Sequence, residues 1–174
     1  MKISQTNIID LYVIETSNNY DFRGRFEKVF SEKEFRRYKL VYDFKDLNFS
    51  NCKKKGIFRG LHFQKEPFGE TKLVKCVKGE VQDYVIDFRK GASSYMQVFQ
   101  IKLSEYDGKI LYIPPGLAHG YQALQDESSL IYLSSNYYNP ESEVVISPLF
   151  SKINLNLDLP PILSEKDKIT TIEL

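Results

Sequence analysis

The sequence predicts an all-β fold, an antiparallel sandwich, jelly roll or barrel with few and short helices. At least six short apolar runs alternate in the two-residue period of a strand. Turn signals at Gly91, Asp107-Gly108 and Pro114-Pro115-Gly116 separate these runs at short intervals. The chain also contains twelve Phe and twelve Tyr, which pack well on a pleated surface. No long helical pattern alternates with the strands, so an α/β fold is not indicated.

The N-terminal part predicts two extended segments. Residues 3–14 alternate loosely and indicate one strand, which ends at a turn in Ser17-Asn18-Asn19. A second extended segment begins at Asp21 and continues to Phe26.

A short helix is predicted over about residues 32–38. Ser31-Glu32-Lys33-Glu34 matches a capping box, and Phe30 and Phe35 occupy the two staple positions around it. Because the segment is short, we interpret it as a decoration and not as a core helix.

The rest of the chain predicts strand after strand. Residues 81–88 show the pattern most clearly, with Val81, Asp83, Val85 and Asp87 on one face. The tail from Ser147 onward is less regular and is expected to wrap around the barrel. The predicted strands are Gly56 to Phe63, Leu73 to Val77, Val81 to Phe88, Tyr95 to Leu103, Lys109 to Ile113, Gly120 to Leu124 and Leu130 to Ser134.

Length and composition indicate one globular domain over residues 1–174, with 42% hydrophobic and 27% charged residues. A formal net charge of +1 gives no reason to expect nucleic acid or a membrane as partner. The N-terminus lacks the pattern of a signal peptide and no apolar run is long enough for a membrane span, so we expect a cytoplasmic protein. Cys52 and Cys76 are expected to be free thiols, and Lys53-Lys54-Lys55 a solvated turn.

Only two histidines occur in the chain, and both stand in distinctive surroundings. His62 lies in Arg59-Gly60-Leu61-His62-Phe63-Gln64, ten residues before Lys72, and His119 lies in the turn-like run Pro114 to Gly120. Histidine is the side chain whose ordinary pKa lies nearest neutrality, and two cations beside it suit an anionic substrate or a developing oxyanion.

Metal and cofactor chemistry have no support in the sequence. A transition-metal site needs three or four convergent ligands, and the two histidines are far apart with no His-x-His pair. Neither a dinucleotide-binding glycine motif nor a P-loop is present. We therefore expect no metal and no cofactor, which leaves proton transfer by side chains.

Such proton transfer next to a carbonyl needs a base, a group that polarises the carbonyl, and an acid on the opposite face of the substrate. His62 supplies the base, and Lys72 or Arg59 would stabilise the enolate oxygen. Tyr132 is a candidate acid in the strand Leu130 to Ser134, although a tyrosine in a strand also fits a core position.

An ordered set of motifs extends across most of the chain. The motifs are Asp21-Phe22-Arg23-Gly24, Arg59-Gly60-Leu61-His62-Phe63-Gln64, Lys72-Leu73-Val74-Lys75-Cys76, Gly79-Glu80-Val81 with Asp87-Phe88-Arg89, Ile113-Pro114-Pro115-Gly116-Leu117-Ala118-His119-Gly120, Tyr137-Tyr138-Asn139-Pro140 and Leu163-Ser164-Glu165-Lys166-Asp167. Together these motifs resemble the dTDP-4-dehydrorhamnose 3,5-epimerase family of cupin-type sugar-nucleotide epimerases.

The resemblance implies a cupin-type jelly-roll homodimer that epimerises a nucleotide-linked 4-keto-6-deoxy sugar, at one or both carbons flanking the ketone, without metal or cofactor. It implies His62 as base, Asp167 as the residue that holds the base in its active tautomer, Tyr132 as acid, and Lys72 as the group that steadies the enolate. The positions implied to contact substrate are Arg23, Arg59, His119, Tyr138, Glu143 and Lys166. For Tyr138, stacking on a nucleobase and simple cover of the barrel mouth both stay open. The product would be a precursor of a surface polysaccharide or another glycoconjugate.

The sequence also departs from the family and leaves alternatives. We align Leu47 and Phe49 with positions where the family has Gln and Asn ahead of the Arg-Gly-Leu-His motif. One alternative function is a non-catalytic cupin that binds a nucleotide sugar, and another is a metal-dependent cupin oxygenase. A pure binder has no need of a positioned base and acid together, and the oxygenase lacks ligands.

Overall fold

The structure is a computed structural model that describes residues 1–172. It contains thirteen strands, one α-helix and one 3₁₀-helix in that range. In chain order these are β1 (Lys2–Gln5), β2 (Tyr12–Glu15), β3 (Asn18–Asp21), β4 (Gly24–Glu27), α1 (Glu32–Arg37), β5 (Asp46–Cys52), β6 (Phe58–Gln64), β7 (Lys72–Lys78), β8 (Glu80–Asp87), β9 (Val98–Ser104), β10 (Lys109–Ile113), β11 (Leu117–Ala123), β12 (Ser128–Ser134), β13 (Glu143–Val145) and the 3₁₀-helix Lys166–Lys168.

Two antiparallel sheets face each other. The six-stranded sheet has the order β1-β2-β10-β7-β12-β5, and the five-stranded sheet has the order β13-β6-β11-β8-β9. The strands β3 and β4 form a separate hairpin. From β5 to β13 successive strands alternate between the two sheets, except that β8 and β9 are neighbours in the five-stranded sheet. The prediction of an all-β antiparallel fold is correct.

Three apolar clusters stabilise these layers. The first lies between the sheets and joins residues from both, among them Val74, Val85 and Leu130. The second covers the outer face of the five-stranded sheet with the C-terminal tail, and the third covers part of the six-stranded sheet with the segment around α1. On β8, Val81 and Val85 belong to the first cluster and Tyr84 and Ile86 to the second, so alternate side chains of this strand are buried on opposite faces.

Helix α1 differs from the prediction in two respects. Ser31 occupies the N-cap position but its side chain makes no capping hydrogen bond, so the predicted capping box does not form. The staple does form, because the rings of Phe30 and Phe35 lie 5.0 Å apart. Phe35 is fully buried against the six-stranded sheet, so the helix is part of the third cluster and not a decoration.

Several predicted strand boundaries were wrong. Residues 3–14 form two strands, β1 and β2, because a turn that contains Asp10 in the left-handed region folds them into a hairpin. The turn predicted at residues 17–19 occurs instead at Phe22 and Arg23, between β3 and β4. The strand predicted from Tyr95 begins at Val98, after a turn in which Met96 has φ 64°. Strands β5 and β13 were not predicted.

Other expectations agree with the structure. Cys52 and Cys76 are buried and unpaired, and residues 53–55 form an exposed turn. The tail after residue 147 contains no strand within the described part of the chain and packs on the second cluster. None of the helices in residues 1–172 has the length and apolar character needed to cross a membrane.

Candidate active site

The two histidines lie next to each other on adjacent strands. His62 on β6 and His119 on β11 are cross-strand partners, and His119 therefore lies on a strand and not in the predicted turn. The strands approach closely beside them, because a Cβ added to Gly60 would lie 2.5 Å from the Cα of Gly120. Gly60 also has φ +118°, which favours glycine. Glycine at this position allows the close approach that sets the two imidazoles side by side.

His62 is held by a carboxylate from the C-terminal tail. Its Nε2 lies 2.7 Å from Oδ1 of Asp167 in the 3₁₀-helix, and the hydroxyl of Ser164 donates to Oδ2 of the same carboxylate at 2.8 Å. Burial alone would raise the pKa of Asp167, but the hydrogen bonds from His62 and Ser164 outweigh it and lower that pKa. An ionised carboxylate can only accept, so Nε2 carries the proton and Nδ1 holds the lone pair.

A second carboxylate lies on the other side of the same imidazole. Oε1 of Glu143 is 3.9 Å from Nδ1 of His62, which is too long for a hydrogen bond. Glu143 is instead bound by the Lys166 ammonium at 2.7 Å and by the Tyr138 hydroxyl at 2.9 Å. These two hydrogen bonds outweigh the effect of burial and lower the pKa of Glu143. The lone pair of Nδ1 is thus free to accept a proton beside a negative charge.

His119 forms its own pair with a buried aspartate. Its Nε2 lies 2.9 Å from Oδ2 of Asp83 on β8, and Asp83 is fully buried. Burial raises the pKa of Asp83, and the contacts with His119 oppose that change. Sequence reasoning did not single out Asp83, although a carboxylate on the buried face of a strand that also carries Val81 and Val85 was a usable signal.

The opposite sheet supplies Tyr132 and Lys72. Tyr132 lies in the middle of β12, between Asn48 on β5 and Val74 on β7, and Lys72 begins β7. Burial raises the pKa of Tyr132, the negative charge of Glu70 raises it further, and Arg59 opposes both. Tyr132 is therefore a protonated phenol over the neutral pH range.

His62 and Tyr132 face each other across one cleft between the sheets, which has two lobes that share His62, Lys72 and Tyr132. The acidic lobe has a volume of about 330 Å³ and contains the carboxylates of Asp46, Glu70 and Glu143. The basic lobe has a volume of about 270 Å³ and contains Arg59, His119, Lys166 and Asp167.

The cleft brings together nine of the ten residues that the sequence singled out as site residues. The exception is Arg23, which lies on the β3–β4 hairpin, pairs with Asp21 and lines a separate depression on the surface. In a single chain Arg23 is not part of the cleft. The nine that line it are Arg59, His62, Lys72, His119, Tyr132, Tyr138, Glu143, Lys166 and Asp167.

Residues on β5 also line the cleft, although sequence reasoning did not single them out as site residues. Asp46 and Asn48 face the acidic lobe, whereas Leu47 and Phe49 are 66% and 68% exposed. A strand places successive side chains on opposite faces, so the polar residues of β5 face the cleft and its apolar residues face outward.

Metal ligands do not converge in the part of the chain that the structure describes. Residues 1–172 contain no group of three or more His, Cys, Asp or Glu side chains that could hold a metal ion. Three carboxylates of the cleft are instead bound to histidine, lysine or hydroxyl groups, namely Asp167, Glu143 and Glu70.

Comparison with known proteins gives consistent matches over nearly the whole chain. A family model described as dTDP-4-dehydrorhamnose 3,5-epimerase matches residues 5–172. The dTDP-4-dehydrorhamnose 3,5-epimerase of Shigella flexneri is 37% identical, over 96% of this chain and 93% of its own length. The crystal structure of the same enzyme from Bacillus anthracis, with TDP and PPi bound, has a TM-score of 0.94 at 29% identity and 99% coverage of both chains. The dTDP-6-deoxy-D-glucose-3,5-epimerase of Legionella pneumophila, in complex with dTDP-4-keto-L-rhamnose, has a TM-score of 0.89 at 34% identity, covering 95% of this chain and 89% of that one.

The fold, the cleft and these likenesses define a class of protein: a cupin-type jelly-roll epimerase that acts on a nucleotide-linked 4-keto-6-deoxy sugar. Within that class, the chain belongs to the dTDP-4-dehydrorhamnose 3,5-epimerase family. The predictions of family, fold class and isomerase activity are confirmed.

Proposed function

We propose that this protein inverts one or both carbons flanking the ketone of a dTDP-linked 4-keto-6-deoxy sugar, with His62 as base and Tyr132 as acid. The observation that carries the proposal is the placement of these two side chains on opposite sheets, facing one cleft. Inversion requires that a proton leave one face of the carbon and return to the other, which a base and an acid on opposite walls can accomplish.

The reaction proceeds in two proton transfers. Nδ1 of His62 takes the proton from the carbon next to the ketone, and the electrons of the C–H bond form an enolate. The Lys72 ammonium stabilises the enolate oxygen. The Tyr132 hydroxyl then donates its proton to the same carbon from the opposite side, and the resulting imidazolium and phenolate return to their starting forms by exchange with solvent.

Asp167 fixes the base for this reaction. Its hydrogen bond with Nε2 at 2.7 Å keeps the lone pair on Nδ1, and its negative charge stabilises the imidazolium formed when the proton is taken. The carboxylate of Glu143, 3.9 Å from Nδ1, adds to that stabilisation.

The basic lobe binds the anionic part of the substrate. Arg59, His119 and Lys166 line it in a protein whose formal net charge is only +1, so the attraction is local. Tyr138 lies at the mouth with its ring 62% exposed and its hydroxyl held by Glu143, which suits stacking on the nucleobase. The dTDP-4-keto-L-rhamnose bound by the Legionella relative supports the choice of dTDP.

A homodimer accounts for the exposed hairpin. Tyr20, Phe22 and Phe26 on β3 and β4 are 62%, 99% and 67% exposed, which is costly for an isolated chain in water. A second copy that covers this hairpin would bury them, and the same contact could carry Arg23 into the cleft of the partner.

Sedimentation of the wild type and of Phe22→Ser tests this proposal of a dimer. We expect a dimer that the substitution weakens, and a monomeric wild type would contradict it. The cytoplasmic location stays a prediction from the sequence.

Proton NMR in deuterium oxide tests the activity. The wild type is mixed with dTDP-, GDP- and CDP-linked 4-keto-6-deoxy sugars in turn, and we expect exchange next to the ketone with the dTDP-linked sugar. Exchange at two carbons defines a double epimerase, and exchange at one carbon defines a single-centre epimerase. Tight binding with no exchange for any of the three would contradict the proposal and favour a non-catalytic cupin.

A further inference from the structure

Glu70 is a carboxylate of the cleft for which the proposed reaction has no role. It lies two residues before Lys72, and its Oε1 is 3.0 Å from the Lys72 ammonium. The side chains of the two residues are only 11% and 13% exposed, and both line the acidic lobe beside Tyr132. Ion pairs at the surface of this protein, such as Lys45 with Asp43, are far more open to solvent.

We propose that Glu70 is a positioning residue of this active site, which holds the Lys72 ammonium in place at the wall of the cleft that carries Tyr132. The inference rests on the proposed function and adds a residue to it. Glu70 fixes the position of the Lys72 ammonium before the substrate binds.

The geometry around Glu70 supports a fixed arrangement. Thr71, between the two charged residues, is 1% exposed, and its backbone exchanges hydrogen bonds with Ser135: its N–H donates to the Ser135 hydroxyl at 2.8 Å and its carbonyl accepts from the Ser135 N–H at 3.0 Å. The backbone that carries both side chains is therefore anchored to the residue that follows β12.

Lysine needs such a partner more than arginine does. Its ammonium is carried on a flexible four-carbon stem and has three N–H donors. The Glu70 carboxylate, 3.0 Å from the ammonium, restricts the positions that the ammonium can take. Because the stem is ordered in advance, less conformational entropy is lost when the enolate oxygen takes up its hydrogen bond.

The charge of Glu70 also acts on Tyr132. Besides burial, Glu70 raises the pKa of Tyr132, and Arg59 opposes it. Other charged or titratable groups also line the cleft around Tyr132. Those other groups are Asp46, His62, Lys72, His119 and Tyr121 on the strands, and Tyr138, Glu143, Lys166 and Asp167 around the mouth. Glu70 thus helps to keep the acid in its proton-carrying form as the pH rises.

A purely structural ion pair is the competing interpretation, and two substitutions separate the two. Glu70→Gln keeps the shape and a hydrogen-bond acceptor but removes the charge, whereas Glu70→Ala removes the anchor. Glu66→Gln is the matched control, because Glu66 is an exposed carboxylate four residues earlier that does not line the cleft. Each variant is measured for kcat, KM and the pH profile of kcat with the dTDP-linked 4-keto-6-deoxy sugar, and for binding of dTDP alone.

We expect kcat to fall by about 10- to 100-fold in Glu70→Ala, with KM and dTDP binding little changed. In Glu70→Gln we expect a smaller loss of kcat, and the fall of activity at alkaline pH should begin at lower pH than in the wild type. Activity should fall at lower pH because Tyr132 must be protonated to act as the acid, and removal of the Glu70 charge lowers the pKa of Tyr132. Glu66→Gln should match the wild type.

Unchanged kcat and an unchanged alkaline limb in both variants, even with a lower melting temperature, would overturn the role of Glu70 and leave a structural ion pair. If Glu70→Ala does not fold, Glu70→Gln alone decides, since dTDP binding shows whether its cleft is intact. A wild type that exchanges no proton with any substrate would overturn the proposed function itself, which is a separate result.

Discussion

The imidazole of His62 and the carboxylate of Asp167 are 105 residues apart in the chain and meet with 2.7 Å between Nε2 and Oδ1. His62 is fixed on a central strand, whereas Asp167 is carried by a short 3₁₀-helix in the irregular tail. The tail therefore does more than cover the outer face of the five-stranded sheet. In the proposed mechanism it completes the group that takes the proton.

Asp167→Asn tests this relationship. An amide in place of the carboxylate can donate to Nε2, which would move the imidazole proton to Nδ1 and remove the charge that stabilises the imidazolium. We expect kcat to fall by about 10²- to 10⁴-fold, with dTDP binding retained. Lys168→Gln, on the same 3₁₀-helix but with its charge paired to Glu165 in solvent, serves as control and should keep wild-type activity. Equal rates for Asp167→Asn and the wild type would refute the orienting role.

The Asp167 carboxylate should also make the stability of the protein depend on pH in the acidic range. The pKa of Asp167 is lower in the folded protein than the ordinary value of an aspartate. The ionised carboxylate therefore contributes its full stabilisation when the pH is above the ordinary pKa. This stabilisation is lost as the pH falls through the pKa of the folded protein. We expect the wild type to exceed Asp167→Asn in melting temperature at about pH 5, and the difference to shrink towards about pH 3. A difference that stays constant over this range would show that Asp167 does not titrate with folding.

A buried ion pair ties the β3–β4 hairpin to the six-stranded sheet. Nζ of Lys75 lies 2.9 Å from Oε1 of Glu27, at an angle outside hydrogen-bond geometry, and both side chains are at most 5% exposed. Lys75→Met removes the nearer of two cations beside the buried Glu27 carboxylate, since Arg25 lies 3.9 Å from its other oxygen, so we expect a loss of up to about 3–5 kcal/mol in the free energy of unfolding.

Urea unfolding measures that loss against two references. Lys45→Met removes the cation of an exposed pair and should cost less than about 1 kcal/mol. The double variant Glu27→Leu with Lys75→Met should recover most of the stability, because the buried carboxylate is removed together with Lys75 and Arg25 is partly open to solvent. A double variant as unstable as Lys75→Met would show that packing, and not the unpaired carboxylate, causes the loss.

The sequence could predict the strands that show a regular two-residue alternation, such as β8, and the motifs whose residues line the cleft. The regular alternation of β8 indicates a buried strand. Nine of the ten candidate residues meet in the cleft, because they lie on strands β6, β7, β11 and β12 or around the mouth of the cleft. Strand β5 was missed because its pattern is inverted: polar Asp46 and Asn48 face inward to the cleft, and apolar Leu47 and Phe49 face outward.

Contacts between distant segments could not be predicted from the residues alone. Nothing in the tail alone fixes the distance from Asp167 to His62, which is 105 residues earlier in the chain. Arg23 carries the family motif, yet the exposed hairpin sets it apart from the cleft of its own chain. These outcomes depend on the packing of the two sheets and the tail, which local patterns do not encode.

Deuterium exchange followed by proton NMR in two variants tests the central claim, that His62 and Tyr132 act on opposite faces of the substrate. With the dTDP-linked 4-keto-6-deoxy sugar, we expect His62→Ala to lose both exchange and epimerisation by at least about 10²-fold. Tyr132→Phe should still exchange deuterium through His62 but form little inverted product, since the proton can return only to the face it left. Wild-type exchange in His62→Ala, or wild-type epimerisation in Tyr132→Phe, would contradict the account.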